Sequence, residues 1–510
     1  MVSGSAPGPA NPLSSSYGSA QAHLPQAPEP LEKAPRLPYN ESFAPCLAEL
    51  LGTFVLVLTA GILKLSPGSS TWDPCALGLV SMVMIYATLP VSGGNLNPAI
   101  SLSLGIVGCL RWKVVVRYAV VQFFGALAAS LVLLLTFQQP AKIGPVQPFS
   151  WEYAVAAEVI YTFMLCFVVN NGAVSRRSAG ASRDDPNQYY ALSIGLVIIG
   201  GGYSISNISG AILNPAIAMG LSASTGFKWF LAWLLAEAVG AILASIIFRV
   251  LRPEEDSVMP ESMLASNRNS RLHVRYVSEL VGTFMLVLTI GLNIVMISPA
   301  IGFATAAAAV SMVYSLANIS GAHLNPAVTL AVVLSGRDKC SPADGAGYIV
   351  CQVVGGALAG VLYAQFHAAG LHSGLTFTLK HGPGYGPNAA GVVELLFSFF
   401  LAYSVLACAT TNLLHGGRDR QSFYKALVVG SCVGAGGTAA SRISGGAMNP
   451  AISVGVTVAN IAHSGWAQLP PPFAACGFFT LWELTGGLLA AVVFSFTHPD
   501  EYKKAPLLAK

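Results

Sequence analysis

Four copies of one tripeptide decide the fold of this 510-residue chain. They are Asn97-Pro98-Ala99, Asn214-Pro215-Ala216, Asn325-Pro326-Ala327 and Asn449-Pro450-Ala451. At average residue usage the tripeptide arises by chance at roughly one position in several thousand, so four copies need a common cause. Asn is a good helix N-cap, and Pro suits the first helical turn. Because each copy opens a short apolar run, we expect four half-helices that begin inside a membrane.

Two half-helices that meet tip to tip at mid-membrane direct their positive dipole ends and two Asn amides at one point. That point repels cations and donates hydrogen bonds to a passing oxygen atom. The four boxes therefore predict two pores, each made from one pair of half-helices.

The composition is that of a membrane protein, with lipid as its surroundings. Hydrophobic residues make up 54% of the chain and charged residues 9%, against about 25% charged in a soluble domain. The net charge of +4 is too small and too scattered to indicate a nucleic-acid partner. The cysteines lack metal-ligand or paired spacing, which favours core-filling thiols over metal sites or disulfides.

Apolar runs near the length of a spanning helix divide the chain into two six-span units. Residues 1–42 are rich in Pro, Ser, Ala and Gly and are expected to be a disordered tail. We expect unit one over 43–251, a charged linker over 252–273, unit two over 274–497 and a C-terminal tail over 498–510. The expected spans lie near 43–63, 76–92, 114–137, 152–173, 189–206, 228–250, 274–297, 300–318, 343–367, 390–411, 423–438 and 473–496.

The second unit repeats the first. Residues 49–59 return almost unchanged as residues 279–289. Within the units, Glu158 and Glu394 begin the fourth spans much as Glu49 and Glu279 begin the first spans. Three spans are an odd number, so the two halves of each unit must be inverted relative to each other. Lys and Arg residues concentrate on the side that holds both termini, which predicts cytoplasmic termini in a plasma or internal membrane.

These features resemble the aquaporins, also called major intrinsic proteins. The resemblance rests on two Asn-Pro-Ala boxes per six-span unit, on residues 320–329, and on the Glu-x-x-Gly-Thr starts at Glu49 and Glu279. It implies an all-α membrane protein with two hourglass pores, each built from six transmembrane helices and two re-entrant half-helices. It implies a passive channel without a cofactor. Since single-unit members form tetramers, it also implies a homodimer with four pores.

The selectivity constriction departs from the family's pattern. Most members place an Arg after the second box, where this chain has Ile217 and Ile452. Counted from the boxes as the family motif does, the other constriction positions are Leu77, Gly202 and Ala211 in unit one and Thr305, Gly437 and Gly446 in unit two. Neither set contains an aromatic residue or a fixed cation. By analogy, each constriction is expected to be wider and more apolar than a strict water filter.

Three functions are compatible with such constrictions. The first, which we favour, is passage of water and small uncharged solutes such as glycerol or urea. The second is a non-conducting, membrane-organising protein whose apolar constrictions exclude water. The third is a weak ion channel, because cation exclusion would depend on the half-helix dipoles alone. Ala218 and Ser453 stand where glycerol facilitators have an acidic residue, so glycerol is not singled out.

Buried carboxylates are costly in lipid and are functional candidates by default. The chain has six: Glu49, Glu158, Glu237, Glu279, Glu394 and Glu483. For all six we favour binding to the backbone amides of the re-entrant loops. Arg442 either replaces the missing arginine or binds carbonyl groups of an outer loop. No nucleotide-binding loop, metal-spaced cluster or nucleophile elbow appears, so we expect no enzyme activity.

Overall fold

The structure is a computed structural model that describes residues 43–68, 70–173, 189–253, 272–374, 378–411, 423–464 and 470–502. The expected disordered tail over 1–42 lies outside the described residues, as do most of the linker and the residues after 502. The described residues form helices joined by short connections, and they contain no β-strand. The expected all-α fold is confirmed.

Each unit contains six longer helices and two short ones. Unit one comprises α1 Ala44–Leu65, α2 Asp73–Ser92, α3 Pro98–Ile106, α4 Trp112–Phe137, α5 Trp151–Ala173, α6 Tyr190–Ile205, α7 Pro215–Ser222 and α8 Phe230–Leu251. Unit two comprises α9 Leu272–Val295, α10 Ile301–Leu316, α11 Pro326–Leu334, α12 Pro342–Ala369, α13 Pro387–Ala409, α14 Phe423–Ala440, α15 Pro450–Ser464 and α16 Pro470–Thr497. Among the described residues, nine of these helices are long and apolar enough to cross a membrane.

Alternation of the longer helices gives the protein two faces. We call the face at which α1 begins the inner face and the opposite one the outer face. The short helices α3 and α11 connect neighbours whose ends lie at the inner face, and α7 and α15 do the same at the outer face. The two half-helices of a unit therefore approach each other from opposite sides.

Four glycines at equivalent places let long helices cross closely. They are Gly125, Gly240, Gly355 and Gly486, and a Cβ at each would lie 2.4 to 2.6 Å from a backbone carbonyl oxygen of the helix that it crosses. In this way α4 crosses α1 and α8 crosses α5 in unit one, while α12 crosses α9 and α16 crosses α13 in unit two. Close crossings of this kind hold helices together inside a membrane, where apolar side chains find equally apolar lipid.

The two units pack against each other through α5 and α6 of unit one and α9 and α10 of unit two. Polar side chains bridge this buried interface. The hydroxyl groups of Tyr161 and Thr289 are 3.1 Å apart, and the Asn293 amide donates to the Ser204 hydroxyl over 3.0 Å. In a water-free setting such bonds favour one arrangement of the two units over others.

The described residues after α16, 498–502, pack against the folded unit. Residues 499–502 form a 3-10 turn, and Glu501 pairs with Arg337 at 3.3 Å, with side-chain exposures of 1% and 3%. The Arg337 guanidinium also lies 4.3 Å from the centre of the Phe494 ring. The tail that we expected from residue 498 therefore begins as part of the folded unit, because a buried arginine holds it there.

Candidate pore

Each Asn-Pro-Ala box begins a half-helix in the way its chemistry predicts. The Asn of the first three boxes has extended backbone, and Pro is the first helical residue in all four. The Asn side-chain oxygen accepts a hydrogen bond from the N–H of the Ala two residues later, over 2.8 to 3.0 Å in all four boxes. One backbone donor that the helix leaves without a partner is thus satisfied in each case.

The tips of paired half-helices meet. The Asn side-chain nitrogen of each box donates to a backbone carbonyl next to the partner box. The four bonds run from Asn97 to Leu213 at 2.8 Å, Asn214 to Leu96 at 3.0 Å, Asn325 to Met448 at 2.9 Å and Asn449 to Leu324 at 3.0 Å. Because an amide nitrogen carries two hydrogens, each Asn keeps one for a molecule in the cavity that it lines.

The residue before each box has a left-handed backbone. These residues are Leu96, Leu213, Leu324 and Met448, with φ between 50° and 54°. Such a conformation costs about 1–3 kcal/mol for a residue with a side chain and persists only where its surroundings impose it. Here a buried glutamate accepts the N–H of each strained residue, over 2.6 to 2.8 Å. The four glutamates are Glu49, Glu158, Glu279 and Glu394.

Glu279 is an example of how many hydrogen bonds such a carboxylate accepts. It accepts hydrogen bonds from the Ser320 hydroxyl at 2.5 Å, the His323 N–H at 3.0 Å, the Leu324 N–H at 2.7 Å and the Gln352 amide at 2.8 Å. Four donors on one carboxylate compensate for its removal from water. The expectation that these glutamates bind re-entrant backbone agrees with the contacts of all four.

Glu237 and Glu483 differ from the other four in how few hydrogen bonds they accept, and their binding to re-entrant backbone stays a prediction. Both are buried, yet neither oxygen of Glu237 has a hydrogen-bond partner, and Glu483 has only the Ser453 hydroxyl at 2.8 Å. The backbone amides of Asn214 and Asn449 face Glu237 and Glu483 respectively, without meeting the full geometry of a hydrogen bond. The reason is that Glu158 and Glu394 already accept the amides of the same re-entrant loops.

The cavity of unit one is small. It measures about 30 Å³ and is lined by the two box asparagines and mainly by Leu and Ile side chains. Leu77, Ala211 and Ile217 line it, whereas Gly202 does not. A Cβ at Gly202 would lie 2.6 Å from Pro74, so that glycine faces the neighbouring helix α2. The expectation of a wide constriction therefore fails in unit one.

The cavity of unit two is far larger. It measures about 580 Å³ and extends from residues of the outer face to the paired Asn325 and Asn449. The expected constriction residues all line it: Thr305, Gly437, Gly446 and Ile452. A Cβ at Gly437 would meet only the Cα of Gly302, at 3.8 Å, which is an ordinary contact distance. The size of this cavity agrees with the expectation of a wide constriction, which stays a prediction for this unit.

The difference follows from the side chains at equivalent positions. Aligning the boxes of the two units places Leu77 on Thr305 and Ile212 on Ala447. The same alignment places four further lining isoleucines of unit one on valines of unit two: Ile85 on Val313, Ile100 on Val328, Ile194 on Val429 and Ile198 on Val433. One carbon atom is lost at most of these positions, and the sum of these changes accords with a cavity of about 30 Å³ in unit one and about 580 Å³ in unit two.

Three cavity residues of unit two were not expected from the sequence. His323 lines the cavity beside Asn325, and Lys380 and His381 line its outer mouth. Arg442, considered above as a replacement cation, is exposed and does not line the cavity. The position of Lys380 was hard to predict because it lies in a connection between helices, where spacing in the sequence does not show which residues face the cavity.

Paired, inverted half-helices whose tips meet beside a cavity define a class of membrane proteins, the channels and transporters built from inverted repeats. The family model of the major intrinsic proteins matches residues 39–183, 146–295 and 291–494. The chain therefore belongs to the major intrinsic protein family and is a multi-pass integral membrane protein.

Known relatives correspond to one unit of this chain. Putative aquaporin NIP4-1 of Arabidopsis thaliana is 30% identical over 215 residues, which are 40% of this chain and 74% of the relative. Aquaporin AqpM of Methanothermobacter marburgensis is 28% identical over 246 residues, 41% of this chain and 97% of the relative. The X-ray structure of the aquaglyceroporin from Plasmodium falciparum aligns with 42% of this chain and 99% of its own, with 22% identity and a TM-score of 0.37.

Proposed function

We propose that this protein is a passive channel and that unit two carries water and small uncharged solutes such as glycerol and urea. The observation that supports this is the cavity of about 580 Å³ that joins the outer face to Asn325 and Asn449. Selectivity in a pore of this kind depends on its diameter and on the hydrogen-bond donors along it. Unit two offers space together with two amide donors at its centre.

Stopped-flow light scattering of proteoliposomes tests this proposal. Vesicles containing the full chain should shrink and then reswell in glycerol and urea gradients faster than empty vesicles, and they should stay shrunken in sucrose. Reswelling at the rate of empty vesicles for every solute would contradict it. Current across a voltage-clamped bilayer at neutral pH would instead support the weak ion channel.

For unit one, the small cavity favours a structural role. A passage of about 30 Å³ lined mainly by Leu and Ile offers a solute few polar partners, and an apolar constriction loses its water readily. We propose that unit one conducts poorly and mainly supports the assembly.

Transplanting the lining of unit two into unit one should open it. The triple variant Leu77→Thr, Ile198→Val and Ile212→Ala installs the residues that stand at the equivalent places. In a background where unit two is blocked by Gly437→Phe, we expect glycerol permeability to recover in part, measured by the same light-scattering assay. Equal permeability with and without the transplant would show that these side chains do not close unit one.

We further propose a homodimer in which four units form a closed ring. Inside the chain, the fourth and fifth spans of unit one contact the first and second spans of unit two. In the apolar window of α9, 78% of residues are buried, against 39% in the equivalent α1; for α5 and the equivalent α13 the values are 61% and 33%. The exposed surface of α1 and α2 is thus equivalent to that of α9 and α10, and the exposed surface of α13 and α14 is equivalent to that of α5 and α6. Together they are the two sides of an interface like the one inside the chain. A two-fold axis between two chains would form this interface twice.

Mass measurement in mild detergent tests the dimer. We expect light scattering coupled to size exclusion to give twice the chain mass of 52.9 kDa. Val83→Trp with Leu396→Trp, at exposed positions of α2 and α13, should shift the protein to monomer, because bulky rings obstruct close helix contact. Leu481→Trp on the exposed side of α16 serves as the control. A monomer for the wild-type chain would contradict the ring.

The placement of the protein in its membrane is also proposed. The distribution of Lys and Arg supports cytoplasmic termini, with the inner face toward the cytoplasm. We keep the unit boundaries at 43–251 and 274–497. Helices α1, α8 and α16 fall within them, and α9 begins two residues before the second unit's boundary, at Leu272.

A further inference from the structure

Three exposed cations lie at the inner end of α4. Arg111 directly precedes the helix, and Lys113 and Arg117 lie on its first two turns. None of these three side chains forms an ion pair with a described residue. No exposed Asp or Glu lies at this end of unit one within the residues that the structure describes. We call Arg111, Lys113 and Arg117 the basic patch, and the described part of the chain supplies no counter-charge for it.

An exposed apolar stripe continues from the basic patch toward the middle of the membrane. It consists of Val116, Val120 and Phe124, which are 62%, 47% and 62% exposed. Residues three and four apart share one side of a helix, so the apolar stripe lies on the same side of α4 as Lys113 and Arg117. Cations at the membrane surface with apolar surface below them match the phosphate and an acyl chain of an anionic phospholipid.

Trp112 indicates the depth of the basic patch in the membrane. Its side chain is 56% exposed, and Trp is enriched where the hydrocarbon region meets the lipid headgroups. Arg111 and Lys113 are its direct neighbours in the chain. The cations therefore lie at the depth of the lipid phosphates and not in the hydrocarbon region.

The equivalent helix of unit two lacks the basic patch. The hydroxyl groups of Tyr118 and Tyr348 donate to the carbonyls of Ser92 and Ser320, both over 2.9 Å, and this shared bond aligns α4 with α12. The alignment places Arg111 on Ser341, Trp112 on Pro342, Lys113 on Ala343 and Arg117 on Gly347. The first turn of α12 instead contains an acidic residue, Asp344. The basic patch is thus a property of unit one and not of the repeated fold.

The basic patch lies on a helix that the chain leaves open to lipid. Helix α4 packs against α1, α3 and α7, and only 33% of its apolar window is buried. It is not one of the helices that we propose for the dimer interface, so lipid can reach it in the dimer as well. The three cations also stand at the positive end of the α4 dipole, where cations are unfavourable. An anion from outside the chain would relieve this repulsion.

We propose that unit one binds an anionic phospholipid of the leaflet at the inner face, with its phosphate among the cations of the basic patch and an acyl chain along the apolar stripe. Each Lys or Arg near an anionic membrane surface strengthens the attraction. The bound lipid holds unit one, which we propose to be mainly structural, in a region of negatively charged lipid. Binding requires neither unit to conduct, so it is independent of the proposed transport.

Quenching of Trp112 fluorescence by brominated lipids tests the proposal. The full chain is placed in nanodiscs of phosphatidylcholine that contain a small fraction of brominated phosphatidylglycerol, or the same fraction of brominated phosphatidylcholine. The difference between the wild type and Trp112→Phe isolates the signal of this residue from the other tryptophans. We expect brominated phosphatidylglycerol to quench Trp112 at a concentration at least about fivefold lower, because a single cation near the membrane surface already contributes about that factor.

Lys113→Gln with Arg117→Gln should lower this preference for phosphatidylglycerol at least about fivefold, whereas Lys113→Arg with Arg117→Lys should keep it. The matched control is Lys142→Gln with Lys228→Gln, which removes two charges from exposed positions at the outer face of unit one and should leave the preference unchanged. The preference should also fade between about 0.01 M and about 1 M salt, as the screening length falls from about 30 Å to about 3 Å.

Three outcomes would overturn the proposal. Equal quenching of Trp112 by the two brominated lipids would show that anionic lipid does not collect at the basic patch. An equal loss of preference in the control variant would show an effect of net charge rather than of this site. Relief of the quenching by free glycerol phosphate would show that the cations bind a soluble anion without an acyl chain. Glycerol entry should match the wild type in every variant, so the proposed function is tested separately.

Discussion

Replacing Gly437 with Phe should reduce the glycerol permeability of the reconstituted protein by about tenfold or more, because the ring would fill the passage that sets selectivity. Gly437 lines the large cavity of unit two. A Cβ there would meet only the Cα of Gly302 at 3.8 Å, an ordinary contact, so the helix should tolerate the change. The measurement is stopped-flow light scattering of proteoliposomes.

Gly477→Phe is the control for this variant. Gly477 lies on the exposed side of α16, and a Cβ at this position would have nothing within 4 Å. The same ring would therefore face lipid, and permeability should not change. If Gly437→Phe transported glycerol at the wild-type rate, the cavity of unit two would not be the route.

Replacing Glu279 with Leu should destabilise the protein by about 2–6 kcal/mol, since the His323 and Leu324 N–H groups lose their acceptor at about 1–3 kcal/mol each. That is a large share of a typical stability of about 5–15 kcal/mol. Ser320 and Gln352 keep the Ser278 and Thr329 hydroxyls as partners. The strained backbone of Leu324 would also lose the contact that holds it. We expect a lower unfolding temperature in detergent and loss of glycerol passage.

The same substitution at Glu237 should have the opposite sign. Neither oxygen of Glu237 accepts a hydrogen bond of good geometry, and the Asn214 N–H is the one backbone donor that faces it. Glu237→Leu therefore removes a buried polar group and leaves at most that one donor unpaired. Stability should stay equal or rise. Equal destabilisation by both variants would show that hydrogen bonding to the re-entrant loop is not what the buried carboxylates contribute.

The features readable from the sequence are those fixed by local chemistry. Asn followed by Pro predicts a helix start because the Asn side chain caps the helix and Pro needs no N–H partner. The repeated boxes then predict paired half-helices, and the structure brings Asn325 and Asn449 to one cavity. Glu49 and Glu279 were expected at the re-entrant backbone because a carboxylate inside a membrane requires donors.

The difference between the two passages was not predicted. It is the sum of small changes at positions from several helices, such as Leu77 against Thr305 and Ile198 against Val433. Counting from the boxes with the family's spacing chose Gly202, which faces Pro74 instead of the cavity. Aligning the two units residue by residue would have predicted the difference in cavity size, because isoleucines of unit one correspond to valines of unit two.

The position of the loop residue Lys380 and the hydrogen bonding of the buried carboxylate Glu237 were also not predicted from the sequence. Lys380 lies in a connection whose path depends on the backbone bond between Gly382 and Ile443. Glu237 looks like Glu158 in the sequence, but Glu158 accepts the Ile212 and Leu213 amides of the nearby loop. Glu237 is left with the Asn214 amide, which is poorly placed for a hydrogen bond. Competition for donors is a property of the folded arrangement and not of either residue alone.

The most direct test of the account is an experimental structure of the full chain in a lipid bilayer, at a resolution that shows ordered water. We predict a continuous file of water in unit two, from Lys380 past Asn325 and Asn449, and a dry passage in unit one between Leu77 and Ile217. A continuous file in unit one, or side chains that close unit two along its whole length, would contradict the claim that unit two is the route.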